Sequence, residues 1–224
     1  AQHVEPVQSQ VAAIAASLAS IATATPIDFS TDAEVIAKFW KVRKGTFPSV
    51  GAMRATGSTV IIEDVAFPVA RLAEATLDLQ ALLHAHGYRE AIIFGHALEG
   101  NLHFVFTQDF STEAEVERYA RFMDDVAQLV VGKYDGALKA EHGTGRNMAP
   151  FVELEWGRDG LLLMQEIKRL FDPENLLNPG VILTDDERAH LRHLKPLPPA
   201  DPLVDKCIEC GFCEPKCPSA RLTF

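Results

Sequence analysis

Cysteine is missing from the first 206 residues; all four, Cys207, Cys210, Cys213 and Cys217, fall in the last eighteen of 224. That distribution excludes a disulfide framework, which needs thiols spread through the domain they staple. Basic residues are also scarce. Against 31 Asp and Glu stand 21 Lys and Arg, giving a net charge of −10 and a pI near 5.2. Phosphate backbones are gripped by clustered cations, so nucleic acid is excluded as a partner. Long apolar runs are absent too. The longest, Val11–Ala24, is mostly alanine broken by serine and threonine, and is shorter than the ~20 residues a bilayer-spanning helix needs. What remains, 47% hydrophobic and 23% charged, is the balance of a globular chain with one good core and room for a small appendage.

The thiols that are present have a telling order: C-x2-C-x2-C-x3-C, followed at once by Pro218. This is the run that ligates an iron–sulfur cluster in bacterial ferredoxins. A zinc ribbon brings its second C-x2-C pair from a distance, so the spacing favours a 4Fe-4S cluster over zinc. In two-cluster ferredoxins the fourth cysteine serves the other cluster, and a partner run is needed to complete each site. The chain reaches Phe224 before any partner run, and is expected to be a fragment cut inside an electron-transfer segment.

Local signals give an α+β reading. Val7–Ala24 reads as an Ala-rich helix stopped by Thr25-Pro26, and Thr31-x-x-Glu34 as a capping box opening a helix to about Lys44. Thr59–Glu63 is a β-branched run. Asp64–Pro68 then leads into a third helix ending at Gly87, a residue suited to the position after a helix C-terminus. Ala91–Phe94 and Leu102–Phe106 read as strands, Thr112-x-x-Glu115 as the cap of a helix reaching about Val131, and Gly157–Phe171 as a fifth helix. Without regular βαβ spacing, this order predicts an antiparallel sheet covered on one face by helices, in a ferredoxin-like arrangement. Residues 1–183 form the domain, 184–206 a proline-rich linker and 207–224 the start of the cluster segment.

Two stretches carry chemistry. In Gly95-His-Ala-Leu-Glu-Gly-Asn-Leu-His103, a hairpin turn over Ala97–Leu102 would set His96 opposite His103, close enough for two imidazoles to share a metal. Taken alone, the pair is equally well explained as ordinary strand-end histidines. Ala140-Glu-His-Gly-Thr-Gly-Arg146 packs a carboxylate, an imidazole, two glycines and a guanidinium into seven positions, as loops do where backbone approaches a ligand. Glu141 with His96 and His103 makes a two-His, one-carboxylate set suited to a divalent metal, Zn, Mn or Fe. His142 is then left as a general base, and Arg146 can clamp a carboxylate or phosphate bidentately.

These stretches, with Phe171-Asp-Pro-Glu-Asn-Leu-Leu-Asn-Pro-Gly180, Phe39-Trp-Lys-Val-Arg43 and Ile62-Glu-Asp-Val-Ala-Phe-Pro68, resemble the C-terminal cap domain of FAD-linked oxidases of the vanillyl-alcohol-oxidase type. Bacterial D-lactate and D-2-hydroxyglutarate dehydrogenases are the members it is most similar to, and some of them continue into ferredoxin-type segments. The resemblance implies metal ligands at His96, His103 and Glu141, His142 as the base and Arg43 as a contact for the substrate carboxylate. It places Arg146, Asn178 and Gly180 near the flavin. The implied reaction is oxidation of a small D-2-hydroxy acid to the 2-oxo acid, with electrons passing from FAD to iron–sulfur clusters and on to an acceptor such as a quinone or cytochrome. The flavin-binding half that precedes the cap in this family is absent, so the chain alone is expected to be inactive. Ile62 and Glu63 stand where hydroxyglutarate-specific relatives have a lysine, and Val105 replaces the family's asparagine two positions after His103. These departures tilt the expectation towards lactate or another small 2-hydroxy acid. Acidic charge and unpaired thiols point to the cytoplasm, with peripheral contact to a membrane through segments beyond these residues.

Other readings stay open from sequence. The domain is alternatively a docking or electron-transfer module without a catalytic site, or a zinc-dependent hydrolase using the same ligands. Arg43 shares its helix with Lys38, Lys41 and Lys44, where a solvated charge is the ordinary outcome, and Asn178-Pro-Gly180 reads equally as a plain turn.

Overall fold

The computed structural model describes residues 4–23, 25–143, 145–208, 211 and 214. The chain divides into two compact units, 1–46 and 47–224. In the first lie helix α1 (Val4–Leu18) and most of α2 (Ala33–Met53). α1 stops at Leu18, short of the expected Ala24. α2 is capped by Asp32 rather than Thr31: its Oδ1 accepts the N–H groups of Glu34 at 2.8 Å and Val35 at 3.0 Å, the geometry of an Asp N-cap. The helix also runs past Lys44 to Met53, with Pro48 inside it; Gly45 and Pro48 weaken the helix without ending it.

The second unit holds the sheet. Strands β1 (Thr59–Ala66), β2 (Ile92–His96) and β3 (Asn101–Gln108) are antiparallel in the order β1-β3-β2, with α3 (Leu72–Ala85) between β1 and β2 and α4 (Glu113–Ala127) after β3. Strand alternation divides the side chains between two faces. Val65, Leu102, Phe104 and Phe106 pack with Leu79 and Leu83 of α3 and Phe122, Met123 and Val126 of α4 to form the core. The opposite face carries Asp64, Phe94, His96 and His103. The expected α+β class and the helix-covered antiparallel sheet are both present. Thr112 caps α4 by accepting from the Glu115 N–H, and Gly87 follows α3 at φ +86°, as their sequence context required.

The β2–β3 turn is tighter than expected. Phe94, not His96, is the partner of His103, and His96 pairs with Asn101. Residues 97–99 form a 3-10 turn closed by Gly100 at φ +70°, where a Cβ would meet the Phe67 carbonyl at 2.1 Å. The turn therefore needs glycine, and it shortens the loop by pairing two residues the sequence left unpaired.

After α4 the chain makes one π-helical stretch, Gln128–Lys133, then turns back to β1. Ala137 exchanges two backbone hydrogen bonds of 2.9 Å with Ala66, and Gly136 lets this approach happen, since a Cβ there would lie 2.4 Å from the Ala66 carbonyl. This clasp brings residues 138–143 alongside the end of β1. Short α5 (Gly145–Met148) and long α6 (Val152–Phe171) follow, and Gly157, where the fifth helix was expected to start, breaks α6 at φ +72°, ψ 168°.

Residues 184–206, read as a linker, include a 3-10 turn, Ala189–Leu191, in which Ala189 and His190 are buried and Leu191 packs on the core. Farther on, Arg54 donates to the carbonyls of Asp205 at 2.6 Å and Cys207 at 3.0 Å. Cys207 is exposed, while Cys210, Cys213 and Cys217 lie outside the described residues.

His190 sits between the rings of Phe151 (5.3 Å) and Tyr119 (6.3 Å), with no hydrogen-bond partner for either ring nitrogen among the described residues. Burial, helped by Arg188 and opposed by Asp186, pushes its pKa down to about 4 from 6.5. Between those values the unfolded chain binds a proton that the folded chain refuses, so folding stability falls as pH drops from 6.5 towards 4 and is unaffected above that range. Urea denaturation of His190→Phe should match or exceed wild type at neutral pH, because an apolar ring replaces unsatisfied polar atoms. It should also lose less stability than wild type on acidification to about pH 5; equal losses in the two proteins would reject this assignment.

Candidate functional site

The free face of the sheet becomes a site because of three imidazoles and two carboxylates. His103, on central strand β3, is 3% exposed; burial lowers its pKa against an opposing pull from Glu141, which keeps the ring neutral and available as a ligand. His96 is its diagonal neighbour on β2, with ring centroids 5.8 Å apart, and Phe94 lies against it at 5.4 Å. The expected proximity of His96 and His103 is thus present in a different register from the one assumed. The 138–143 loop brings Glu141 and His142, whose ring stacks on His103 at 5.0 Å and 17°.

One atom is the centre of this arrangement. Glu141 Oε1 lies 2.8 Å from His103 Nε2, 3.6 Å from His96 Nε2 and 3.7 Å from His142 Nε2. His96, His103 and Glu141 each present one donor atom within 4.8 Å of the others, as do Asp64, His103 and His142. The first trio is half open: His96 and Glu141, like the neighbouring His142, keep about half of their side-chain surface while His103 is closed in. A cavity of about 450 Å³ adjoins it, lined by Ala66, His96, Glu99, Asn101, Ala137, Lys139, Ala140 and Glu141. The donor set, mixed nitrogen and carboxylate oxygen with an open side, fits a divalent metal bound by three protein ligands.

The loop is held by residues that the sequence reading passed over. Asp64, fully buried on β1, accepts backbone N–H groups from Ala140 (3.1 Å), Glu141 (2.7 Å) and His142 (3.2 Å) on its Oδ2. Burial raises its pKa, but these amides together with Lys139 and His142 outweigh that and hold the carboxylate below its ordinary range. Glu63, next to it and 2% exposed, is paired with Lys139 and accepts from Asn147 Nδ2 at 2.5 Å, and Asn147 in turn accepts from the Tyr119 hydroxyl at 3.0 Å. The signal for both was available: two adjacent acids inside a β-branched run must find partners if the strand is buried.

The other expected site residues are not in this cluster's described contacts. Arg43 belongs to the first unit, and Arg146 is exposed on α5. Asn178 (φ +45°) and Gly180 (φ +73°) line a cavity of about 900 Å³ with Ile167, Phe171, Leu177 and Ile182. The segment is pinned by Asp172, which takes a contact from Lys168 and the N–H groups of Leu176 (2.9 Å) and Leu177 (2.8 Å); these hold its pKa at about 2.

Lys139→Met leaves Glu63 buried without its cation, and thermal and urea unfolding should show a loss of about 3–5 kcal/mol. Glu63→Leu added to it should recover most of that loss; a double variant as unstable as the single one would refute the pairing as the cause.

A family model described as FAD linked oxidases, C-terminal domain, matches residues 1–182. The chain is 31% identical over 143 residues to a glycolate oxidase subunit GlcD of Bacillus subtilis, covering 62% of this chain and 29% of that protein. It is 33% identical over 158 residues to a mitochondrial D-lactate dehydrogenase (cytochrome) of Arabidopsis thaliana, covering 69% and 27%. With a D-2-hydroxyglutarate dehydrogenase of Haemophilus influenzae it shares 31% identity over 155 residues, 69% of this chain and 15% of that protein. The chain thus spans less than a third of the length of each.

Proposed function

The chain belongs to the family of FAD-linked oxidase C-terminal domains, and from that membership and the site geometry we propose that it is the substrate-side domain of a flavin-dependent dehydrogenase of small D-2-hydroxy acids. The observation that carries this reading is the convergence of His96, His103 and His142 Nε2 on one oxygen of Glu141, within 2.8–3.7 Å, beside an open cavity. A docking module has no use for such a cluster. The names of the relatives support the substrate class, since glycolate, D-lactate and D-2-hydroxyglutarate share a hydroxyl next to a carboxylate.

His96, His103 and Glu141 would hold a divalent metal, which when bound lowers the energy of a developing alkoxide. His142, half exposed with Nε2 on the Glu141 side, would take the hydroxyl proton as the alcohol is oxidised. Arg43 would contact the substrate carboxylate and Arg146 a carboxylate or phosphate, each as a bidentate partner. Asn178, Gly180 and the apolar walls of the larger cavity would face the flavin, whose chemistry is acceptance of a hydride. Cys207, Cys210, Cys213 and Cys217 would ligate an iron–sulfur cluster that carries electrons onward to an acceptor such as a quinone or cytochrome.

Lactate or glycolate fits the smaller cavity better than a dicarboxylate. Lys139 is the only lysine or arginine among its described lining residues, and its charge is already committed to Glu63 and Asp64. Among the described lining residues no other cation is present for a second carboxylate.

Elemental analysis in a background with Cys207, Cys210, Cys213 and Cys217 changed to Ser, which removes cluster iron, should find near-stoichiometric Zn, Mn or Fe that disappears when His96→Ala and His103→Ala are added. Metal surviving that change would defeat the proposed ligand set. In the flavin-loaded enzyme, His142→Gln should lower kcat on D-lactate by about 10²–10⁴-fold, and D-2-hydroxyglutarate should be the poorer substrate. Anaerobic reconstitution with iron and sulfide should give the visible absorption of a 4Fe-4S cluster, lost in Cys207→Ser; no such absorption in wild type would sink the cluster assignment.

A further inference from the structure

Asp64 is in the site but does not line its cavity. One of its oxygens, Oδ2, is saturated by the three amides of residues 140–142. The other, Oδ1, is buried and has no aligned hydrogen bond among the described residues. Two groups stand off from it: His142 Nδ1 at 3.3 Å and Lys139 Nζ at 3.5 Å. His142 is thus approached from opposite sides, by Asp64 at Nδ1 and by Glu141 at Nε2.

We propose that Asp64 is a positioning residue for His142: its Oδ1 accepts the Nδ1–H, fixing the tautomer in which Nε2 carries the free lone pair and faces the Glu141 side of the site. The physical need is plain. A neutral imidazole exchanges between two tautomers, and only the one with an unprotonated Nε2 can take a proton from a group on that side. Each tautomer sets one ring nitrogen against a carboxylate, and the mismatch costs more at Nδ1, where Asp64 is closer (3.3 Å against 3.7 Å for Glu141 at Nε2) and fully buried while Glu141 is half exposed to water. The ring has little else to hold it, being half exposed and stacked on His103. A turn of the ring closes the 3.3 Å contact into an aligned bond, as catalytic hydrogen bonds tighten when a site is occupied.

The competing role for Asp64 is as a metal ligand, with His103 and His142, since their donor atoms also cluster. Lys139 argues against it. An ammonium 3.5 Å from the same Oδ1 fills the cationic place beside that oxygen, and a second cation there would be repelled. The three residues therefore divide the work: Lys139 offsets the buried charge, Asp64 holds the loop and the ring, and Glu141 with the other two histidines keeps the open ligand side.

The inference rests on the reading of His142 as proton acceptor, yet it is tested without turnover. On ¹⁵N-labelled full chain, metal-free and well above the imidazole titration range, ring-nitrogen spectra report each tautomer, and His142 is identified by its loss in His142→Gln. Wild type should show His142 as the Nδ1–H form. In Asp64→Asn the amide still accepts the backbone N–H groups through its oxygen but offers a donor to Nδ1, so the ring should switch to the Nε2–H form. Zinc affinity of that variant should fall less than about tenfold, the lower end for an outer partner rather than a ligand. A wild-type ring in the Nε2–H form, or no switch in Asp64→Asn, overturns the proposal; complete loss of zinc binding overturns it in favour of Asp64 as a ligand. Should Asp64→Asn fail to fold, the wild-type tautomer decides alone. If the switch is seen while His142→Gln retains full activity in the flavin-loaded enzyme, the base assignment fails and the Asp64 contact stands.

Discussion

A buried carboxylate that accepts three consecutive backbone N–H groups is the constraint on which this site depends. Asp64 is fully buried, and its Oδ2 accepts all three of those N–H groups. Putting a charge there is costly unless it is solvated by dipoles, and the 140–142 amides supply them. The same contacts work in the other direction. A loop with glycines at 143 and 145 has little intrinsic preference for one shape, and it is held in one because its amides have a single buried acceptor. Glu141 and His142 take their directions from that choice.

The neighbouring pair Glu63 and Lys139 completes the electrostatics. Two adjacent acids on a buried strand repel, and a single lysine from the clasped loop lies against both. Such a pair gives little net stability, because desolvation offsets its attraction, but it fixes the register of the loop against the strand. Asn147 and the Tyr119 hydroxyl extend the chain of contacts into the core, so the loop's position is coupled to α4 packing as well as to β1.

The fold was legible where local chemistry decides it. Thr112 announces its helix by capping, Gly87 its helix end, and the apolar alternation of residues 102–106 its buried strand. Boundaries failed where local signals compete: Asp32 outbids Thr31 as a cap, and α2 runs on through Pro48 to Met53. Of the site, His96, His103, Glu141 and His142 could be named from the sequence, because glycine-flanked histidines and acids are conspicuous. Their register could not. The tight Ala97–Glu99 turn depends on how closely Gly100 approaches Phe67, a contact between segments that no periodicity encodes. Asp64 and Glu63 were legible only as adjacent acids in need of partners; which partners they take, Lys139 among them, is decided once the loop at 137 meets the strand at 66.

The hairpin register shows why the site tolerated a wrong route to a right neighbourhood. Had His96 and His103 been direct partners, the turn would have needed six residues and the two rings would have stood side by side across the strands. In the observed register Phe94 takes that place, lying against His103 at 5.4 Å and closing off its buried side, while His96 moves two residues along the same face towards the open end. The diagonal arrangement gives one dry histidine and one wet one on a common face. The cluster so built has a buried inner histidine and an exposed outer one, with Glu141 reaching both from a loop. That asymmetry, more than the identity of the three residues, leaves one side of the cluster open.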